Sequence, residues 1–209
     1  TRPENHFGYG HSIGHVSGKV IDFHPTIEVE ISYRDGKQNI KTALLGDFNL
    51  YNILCAATVG EIFHIKSEII SKSLESYTPS NHRSQLIKTK TNIVIADCYN
   101  ANPTSTLAAL QSLSSMKVEN KVAILGDMLE LGENEEVEHQ NIVQFMNENN
   151  ISGLLVGGIF SNLKCNFPTF EKVEFILPYL KNMRYENCTI LIKGSRGIKL
   201  EKIIENQIL

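Results

Sequence analysis

The 209-residue sequence has no excess of basic charge: 20 Lys and Arg against 23 Asp and Glu give a net charge of −3. That leaves no electrostatic footprint for nucleic acid and no polybasic patch for a membrane surface. No apolar run approaches the ~20 residues a membrane span needs, so no membrane insertion is expected. No charged-then-apolar signal segment opens the chain. No pair of its four cysteines stands in CxxC spacing. Cys55, Cys98, Cys165 and Cys188 therefore read as buried thiols of a reducing cytosol. There is no low-complexity tract and no repeat at a solenoid period. There is also no G-x-x-x-x-G-K-[ST] phosphate loop.

His6, His11 and His15 crowd the start, and the last two have the i, i+4 spacing of a metal pair. Gly10, Gly14 and Gly18 argue against a helix there, and no metal site is expected. The chain begins Thr-Arg-Pro rather than Met and reads as cut from something longer.

What is present is 42% hydrophobic residues, enough for a real core. Val16–Phe23, the alternating Ile27–Tyr33 and a third run reaching Leu45 predict antiparallel strands, with Asp35-Gly36 as a hairpin turn. The period then changes. Asn49 to Phe63 reads as a helix with Ile53, Ala56, Ala57 and Val59 on or near one face, and Ser67 to Ser76 as a shorter one. The turn-rich Tyr77–His82 marks a domain boundary. From Ile93 onward strand and helix alternate. Strands are expected at Ile93–Ala96, Val122–Leu125, Leu154–Val156 and Thr189–Ile192, and helices at about 103–116, 134–149, 171–182 and 198–208. That alternation predicts an α/β fold with a mostly parallel, helix-covered sheet.

In such a sheet the turns after the strands share one rim, where ligands bind. Here they are Asp97-Cys98-Tyr99-Asn100-Ala101-Asn102-Pro103, Gly126-Asp127-Met128-Leu129-Glu130-Leu131-Gly132, Gly157-Gly158 and Lys193-Gly194-Ser195-Arg196-Gly197. Asn102 and Pro103 suit a helix cap and first helical position. Lys193, Ser195 and Arg196 offer donors for a carboxylate or phosphate. Asp127 and Glu130 offer acceptors for an ammonium group, although Asp127 also fits a loop cap. Taken singly, each turn fits an ordinary connection; together they suggest a site for a ligand bearing both signs of charge, such as a nucleotide or a zwitterionic peptide. In the first half, Gly46-Asp47-Phe48-Asn49-Leu50-Tyr51-Asn52 places Asn49 at a helix cap and Asn52 one turn later. A primary amide donates and accepts, as an adenine edge requires, yet a cap and a solvent-facing Asn fit the spacing as well.

In this order the motifs resemble those of the Mur ligases, ATP-dependent amide-forming enzymes of peptidoglycan synthesis. Gly46–Asn52 is similar to the family's G-x-H-N-x-x-N, with Phe48 in place of the usual His. Asn81-His82-Arg83-Ser84-Gln85 resembles its short Arg-bearing segment. The Tyr-Asn-Ala-Asn-Pro, Gly-Asp-Met-Leu-Glu-Leu-Gly and Lys-Gly-Ser-Arg-Gly runs resemble the branch that adds D-alanyl-D-alanine to UDP-N-acetylmuramoyl-tripeptide.

The resemblance implies that residues 1–80 end a central ATPase domain and that 84–209 form a Rossmann-like C-terminal acceptor domain. It implies ATP and Mg²⁺ as cofactors, with ATP, UDP-N-acetylmuramoyl-tripeptide and D-Ala-D-Ala as small-molecule partners, in a cytoplasmic monomer serving cell-wall growth, shape and division. Asn49 and Asn52 would contact the adenine side of ATP, Arg83 its phosphates and Asp97 the ribose hydroxyls. Asn100, Lys193, Ser195 and Arg196 would lie by the nucleotide–acceptor junction. The phosphate loop and catalytic residues would lie upstream, so the chain alone is expected to be inactive. Other readings are a nucleotide- or dipeptide-binding module, or a related amide ligase of another Mur or folylpolyglutamate synthase type.

Overall fold

The computed structural model describes residues 7–209 apart from Ile13 and His24. His6, one of the clustered histidines, lies outside the described residues. The chain divides into two units, the first ending at Thr78 and the second running from Pro79 to Leu209.

In the first unit, β1 (Tyr9–Gly10) pairs in parallel with β2 (Val16–Phe23). The antiparallel meander continues through β3 (Thr26–Tyr33) and β4 (Gly36–Leu45). Ile27, Val29, Ile31 and Tyr33 alternate into the core, as a one-sided sheet requires. The hairpin turn is Arg34-Asp35, one residue earlier than the sequence suggests, and Gly36 opens β4. Helices α1 (Asn49–Ile62) and α2 (Ser67–Ser76) complete the unit. The buried stripe of α1 is Leu50, Ile53, Leu54 and Ala57; Ala56 and Val59 are exposed, contrary to the simple period. Tyr33 donates to or accepts from Ser71 across 3.1 Å, tying β3 to α2.

The second unit holds a six-stranded sheet in the order β5-β6-β10-β7-β8-β9. Its elements are β5 (Gln85–Lys88), β6 (Ile93–Asp97), α3 (Pro103–Ser115), β7 (Asn120–Gly126), α4 (Glu135–Glu148), β8 (Ser152–Val156), α5 (Gly158–Asn162), β9 (Thr169–Phe170), α6 (Val173–Met183), β10 (Cys188–Lys193) and α7 (Glu201–Glu205). All neighbours are parallel except the edge strand β5. The four inner strands are continuous apolar runs such as Val122–Leu125, because helices cover both sheet faces. Two edge strands, β5 and β9, and the one-turn-long α5 are additions to what the periodicity predicts. Where one long terminal helix is expected, a 3-10 turn at Arg196–Ile198 and a left-handed Lys199 precede the short α7. Of the cysteines only Cys98 is buried; Cys55, Cys165 and Cys188 are partly exposed, and all four are free thiols. Among the described residues no helix is long and apolar enough to cross a membrane.

Candidate functional site

Register brings the rim together. Lys193 at the end of β10 stands level with Asp97 at the end of β6 and with Leu125 of β7, while Gly126 is level with Val156. The four strand-end turns therefore share the carboxyl edge of one sheet, as the alternating pattern predicts. Gly126 and Gly194 let the turns of β7 and β10 meet: a Cβ on Gly194 would stand 2.9 Å from the Cα of Gly126.

Asp97 and Lys193 are neighbours on adjacent strands. Lys193 Nζ donates to Asp97 Oδ2 at 2.6 Å and to the Asn100 carbonyl at 3.1 Å. The other carboxylate oxygen, Oδ1, accepts from the Ser84 backbone N–H at 2.9 Å and from its hydroxyl at 3.2 Å. Both oxygens of Asp97 thus have internal partners, and Lys193 is buried rather than presented outward. Ser195 is buried as well. Its hydroxyl accepts from Leu129 N–H at 2.9 Å and donates to the Ala101 carbonyl at 3.4 Å, lacing three rim turns together. Asn100 and Arg196 are exposed. Arg83 and Arg196 both approach the Tyr99 ring, their Cζ atoms 3.5 and 5.5 Å from its centroid.

Beneath this edge Cys98 is walled in. Burial first, then the nearby Glu201 and Asp97 charges, push its thiol up from 9.0 to about 12. Such a thiol stays protonated and is no nucleophile at neutral pH.

Asp127 is no ammonium acceptor. It is buried, and its two oxygens accept from the N–H groups of Ile159 and Phe160 at 2.9 and 3.0 Å, capping the start of α5. The Gly-Asp-Met-Leu loop is held from below by His139, absent from the sequence reading. Its Nε2 accepts from Met128 N–H at 2.9 Å, and its Nδ1 lies 2.6 Å from the Glu135 carbonyl. These partners place the proton on Nδ1 and leave Nε2 bare. Asn102 caps α3 as predicted, accepting from Ser105 N–H at 2.8 Å, with Pro103 opening the helix.

In the first unit Asn49 does not cap α1. It is the first helical residue, after Phe48 at the cap; its Nδ2 donates to the Leu45 carbonyl at 2.7 Å. Its Oδ1 accepts from Asn52 Nδ2 at 2.9 Å, so the two amides share one helix face, as their spacing predicts. Ser84 and Tyr99 went without a role in the sequence. Their partners lie 13 positions away or more, where no local period reaches.

A mostly parallel sheet whose polar turns share the carboxyl edge is the arrangement of an open α/β fold, the class in which ligands bind at that edge. Residues 82–196, more than half the chain, match the family described as Mur ligase, glutamate ligase domain. The chain belongs to the Mur ligase family. It is 32% identical over 177 residues to the UDP-N-acetylmuramoyl-tripeptide–D-alanyl-D-alanine ligase of Bacillus subtilis, covering 79% of this chain and 39% of that protein. It is 32% identical over 145 residues to the ligase of the same name from Rickettsia prowazekii, covering 66% of this chain and 32% of that one. The chain thus spans well under half the length of these curated relatives. A crystal structure of MurF from Acinetobacter baumannii superposes with a TM-score of 0.86 at 25% identity, over 97% of this chain and 47% of that chain. MurF from Thermotoga maritima, solved in complex with ADP, shares the fold at a TM-score of 0.80 and 19% identity, over 97% of this chain and 48% of that one.

Proposed function

We propose that this chain is part of an ATP-dependent amide ligase that adds D-alanyl-D-alanine to UDP-N-acetylmuramoyl-tripeptide in the cytoplasm. The observation that carries the reading is the carboxyl edge of the second unit's sheet, where Asp97, Lys193, Ser195, Arg83 and Arg196 gather in a family whose named relatives perform this ligation. In the proposed reaction the tripeptide carboxylate attacks the γ-phosphate of ATP, giving an acyl-phosphate and ADP. The dipeptide amine then attacks the acyl carbon, and phosphate leaves. The demand on the protein is positioning and neutralisation of charge.

The proposed division of labour gives Asn49 and Asn52 the adenine side, Arg83 the phosphates and Asp97 the ribose hydroxyls. Asn100 and Arg196 face the acceptor. Lys193 and Ser195 serve from below: Lys193 holds Asp97 and the Asn100 carbonyl, and Ser195 sets the turn that presents Arg196. Asp97 accepts three hydrogen bonds, two from Ser84 and one from Lys193, which leaves its carboxylate about one further acceptor site for a ribose hydroxyl. Mg²⁺ would accompany the ATP phosphates. Among the described residues no group of three or more His, Cys, Asp or Glu fits a metal ion, and none is given that task. These 209 residues contain no phosphate loop, and in the proposed reaction phosphoryl activation depends on residues outside them.

The test is ADP and phosphate release with Mg-ATP, UDP-N-acetylmuramoyl-tripeptide and a chosen acceptor. The full-length gene product should turn over with D-Ala-D-Ala and not with Glu, Lys or diaminopimelate, while the 209-residue chain stays silent. Turnover by the full-length protein with a single amino acid in place of the dipeptide would overturn the reading in favour of another amide ligase.

A further inference from the structure

Tyr99 sits on the turn after β6, two residues beyond Asp97, with 38% of its surface exposed. The ring is not among the side chains that form or pack against the hydrophobic core of the second unit. Its distinctive neighbours are cations. The Arg83 guanidinium carbon lies 3.5 Å from the ring centroid, at stacking distance, and that of Arg196 lies 5.5 Å away. Among the described residues neither guanidinium has a carboxylate in ion-pair contact, and the nearby Asp97 is already engaged by Lys193 and Ser84.

Two cations beside one ring repel each other, and the negative face of the ring offsets only part of that. Both arginines are exposed, where water screens that repulsion and an arriving anion can reach them. The backbone at Arg83 is held too. Asn81, His82 and Ser84 take left-handed φ angles of 57°, 55° and 47°, and Ser84 is tied to Asp97 Oδ1 on the next strand. Non-glycine residues in that region persist only where their surroundings hold them. Arg83 is thus fixed at its main chain by Ser84 and at its side chain by Tyr99.

We propose that Tyr99 is a positioning residue: its ring holds the Arg83 guanidinium, with Arg196 beside the same ring, ready for one polyphosphate anion. The inference rests on the nucleotide reading given above. The ring face does the work, and the hydroxyl is dispensable. Holding that long side chain in place before the anion arrives removes part of the ordering cost of binding.

The chain has five arginines, so their Nε–Hε resonances can be resolved in the 209-residue protein. The probe is metal-free inorganic pyrophosphate, titrated into wild type, Tyr99→Phe and Tyr99→Leu, with the backbone amide spectrum as the check on folding. In wild type the Arg83 Hε should lie upfield from the ring current, and pyrophosphate should shift both Arg83 and Arg196. Tyr99→Phe should keep the upfield shift and bind within about twofold of wild type. Tyr99→Leu should lose the shift and bind about 3–10-fold more weakly, the size of a partly exposed cation–π contact. Equal affinity in wild type and Tyr99→Leu, or pyrophosphate that moves neither arginine, overturns the proposal. ADP separates it from the reading it rests on. Competition by ADP together with no Leu effect sinks Tyr99 alone. A clear Leu effect without ADP competition sustains the anion pair and overturns the nucleotide.

Discussion

Replacing Asp97 with Asn removes one charge from a pair whose other member has almost no access to water. The Lys193 and Asp97 side chains are 3% and 19% exposed and meet at 2.6 Å. At an effective dielectric of ~20, unit charges at that separation attract by about 6 kcal/mol before desolvation is counted. Desolvation returns most of that, so the intact pair adds little net stability, but removing one partner strands the other and typically costs about 3–5 kcal/mol. The structure says which loss is worse. After Asp97→Asn the Lys193 ammonium keeps a charge and the Asn100 carbonyl, with no solvent, so the top of that range is expected. After Lys193→Met the carboxylate still has both Ser84 donors and its exposed fraction, and the cost should fall to about 2–3 kcal/mol. The double variant should be less destabilised than the sum of the singles by about 1–3 kcal/mol. Because the chain has two units, a single denaturation midpoint is a poor readout. Native-state amide exchange at Ile95 in β6 and Leu191 in β10 reports opening of the second unit directly. Additive single effects, or a larger cost for Lys193→Met than for Asp97→Asn, would refute this account of the pair.

His139→Phe should orphan the buried Met128 N–H, lower stability by about 1–3 kcal/mol and speed exchange of that amide; unchanged exchange at Met128 would show that the loop does not need the imidazole. Gly157 has φ 133°, and a Cβ there would stand 2.2 Å from the Asp127 carboxyl. Gly157→Ala should therefore cost upward of about 2 kcal/mol, with the Ile159 and Phe160 amides exchanging faster, and a neutral effect on thermal unfolding would contradict it. The Cys98 thiol, raised from 9.0 to about 12, keeps in the folded state a proton that the unfolded chain releases. Its contribution is thus complete below about pH 9 and is lost as pH rises from there toward 12, at up to about 1.4 kcal/mol per unit. Cys98→Ala should flatten that part of a pH–stability curve, and an equally steep curve in the variant would remove Cys98 as a cause.

Much of the architecture is legible because local period and tertiary role coincide. Ile27, Val29, Ile31 and Tyr33 alternate because one sheet face is buried, and Val122–Leu125 does not alternate because both are. Asn102, Pro103 and Ser105 announce the start of α3 within four residues of chain. The edge strands β5 and β9 escape such reading. They are short and only partly buried, so their residues carry no strong pattern. The same limit explains Asn49: its residue type suits a cap, but the Leu45 carbonyl and Asn52 together draw its amide inside the helix start.

Residue types and spacing by themselves determined the strand–helix alternation, the parallel sheet that follows from it and the single edge on which Asp97, Asp127 and Lys193 fall. Whether each of these polar groups faces a ligand or the protein's own interior was decided only by tertiary structure. Asp127 turned inward to cap α5, Ser195 became a strut between turns, and Lys193 was buried against Asp97. Tyr99 gathered Arg83, 16 positions before it in the sequence, and Arg196, 97 positions after it. Periodicity reports which face of an element is apolar; the partner of a polar side chain depends on which strands become neighbours and in what register, and that is settled only when the whole sheet has formed.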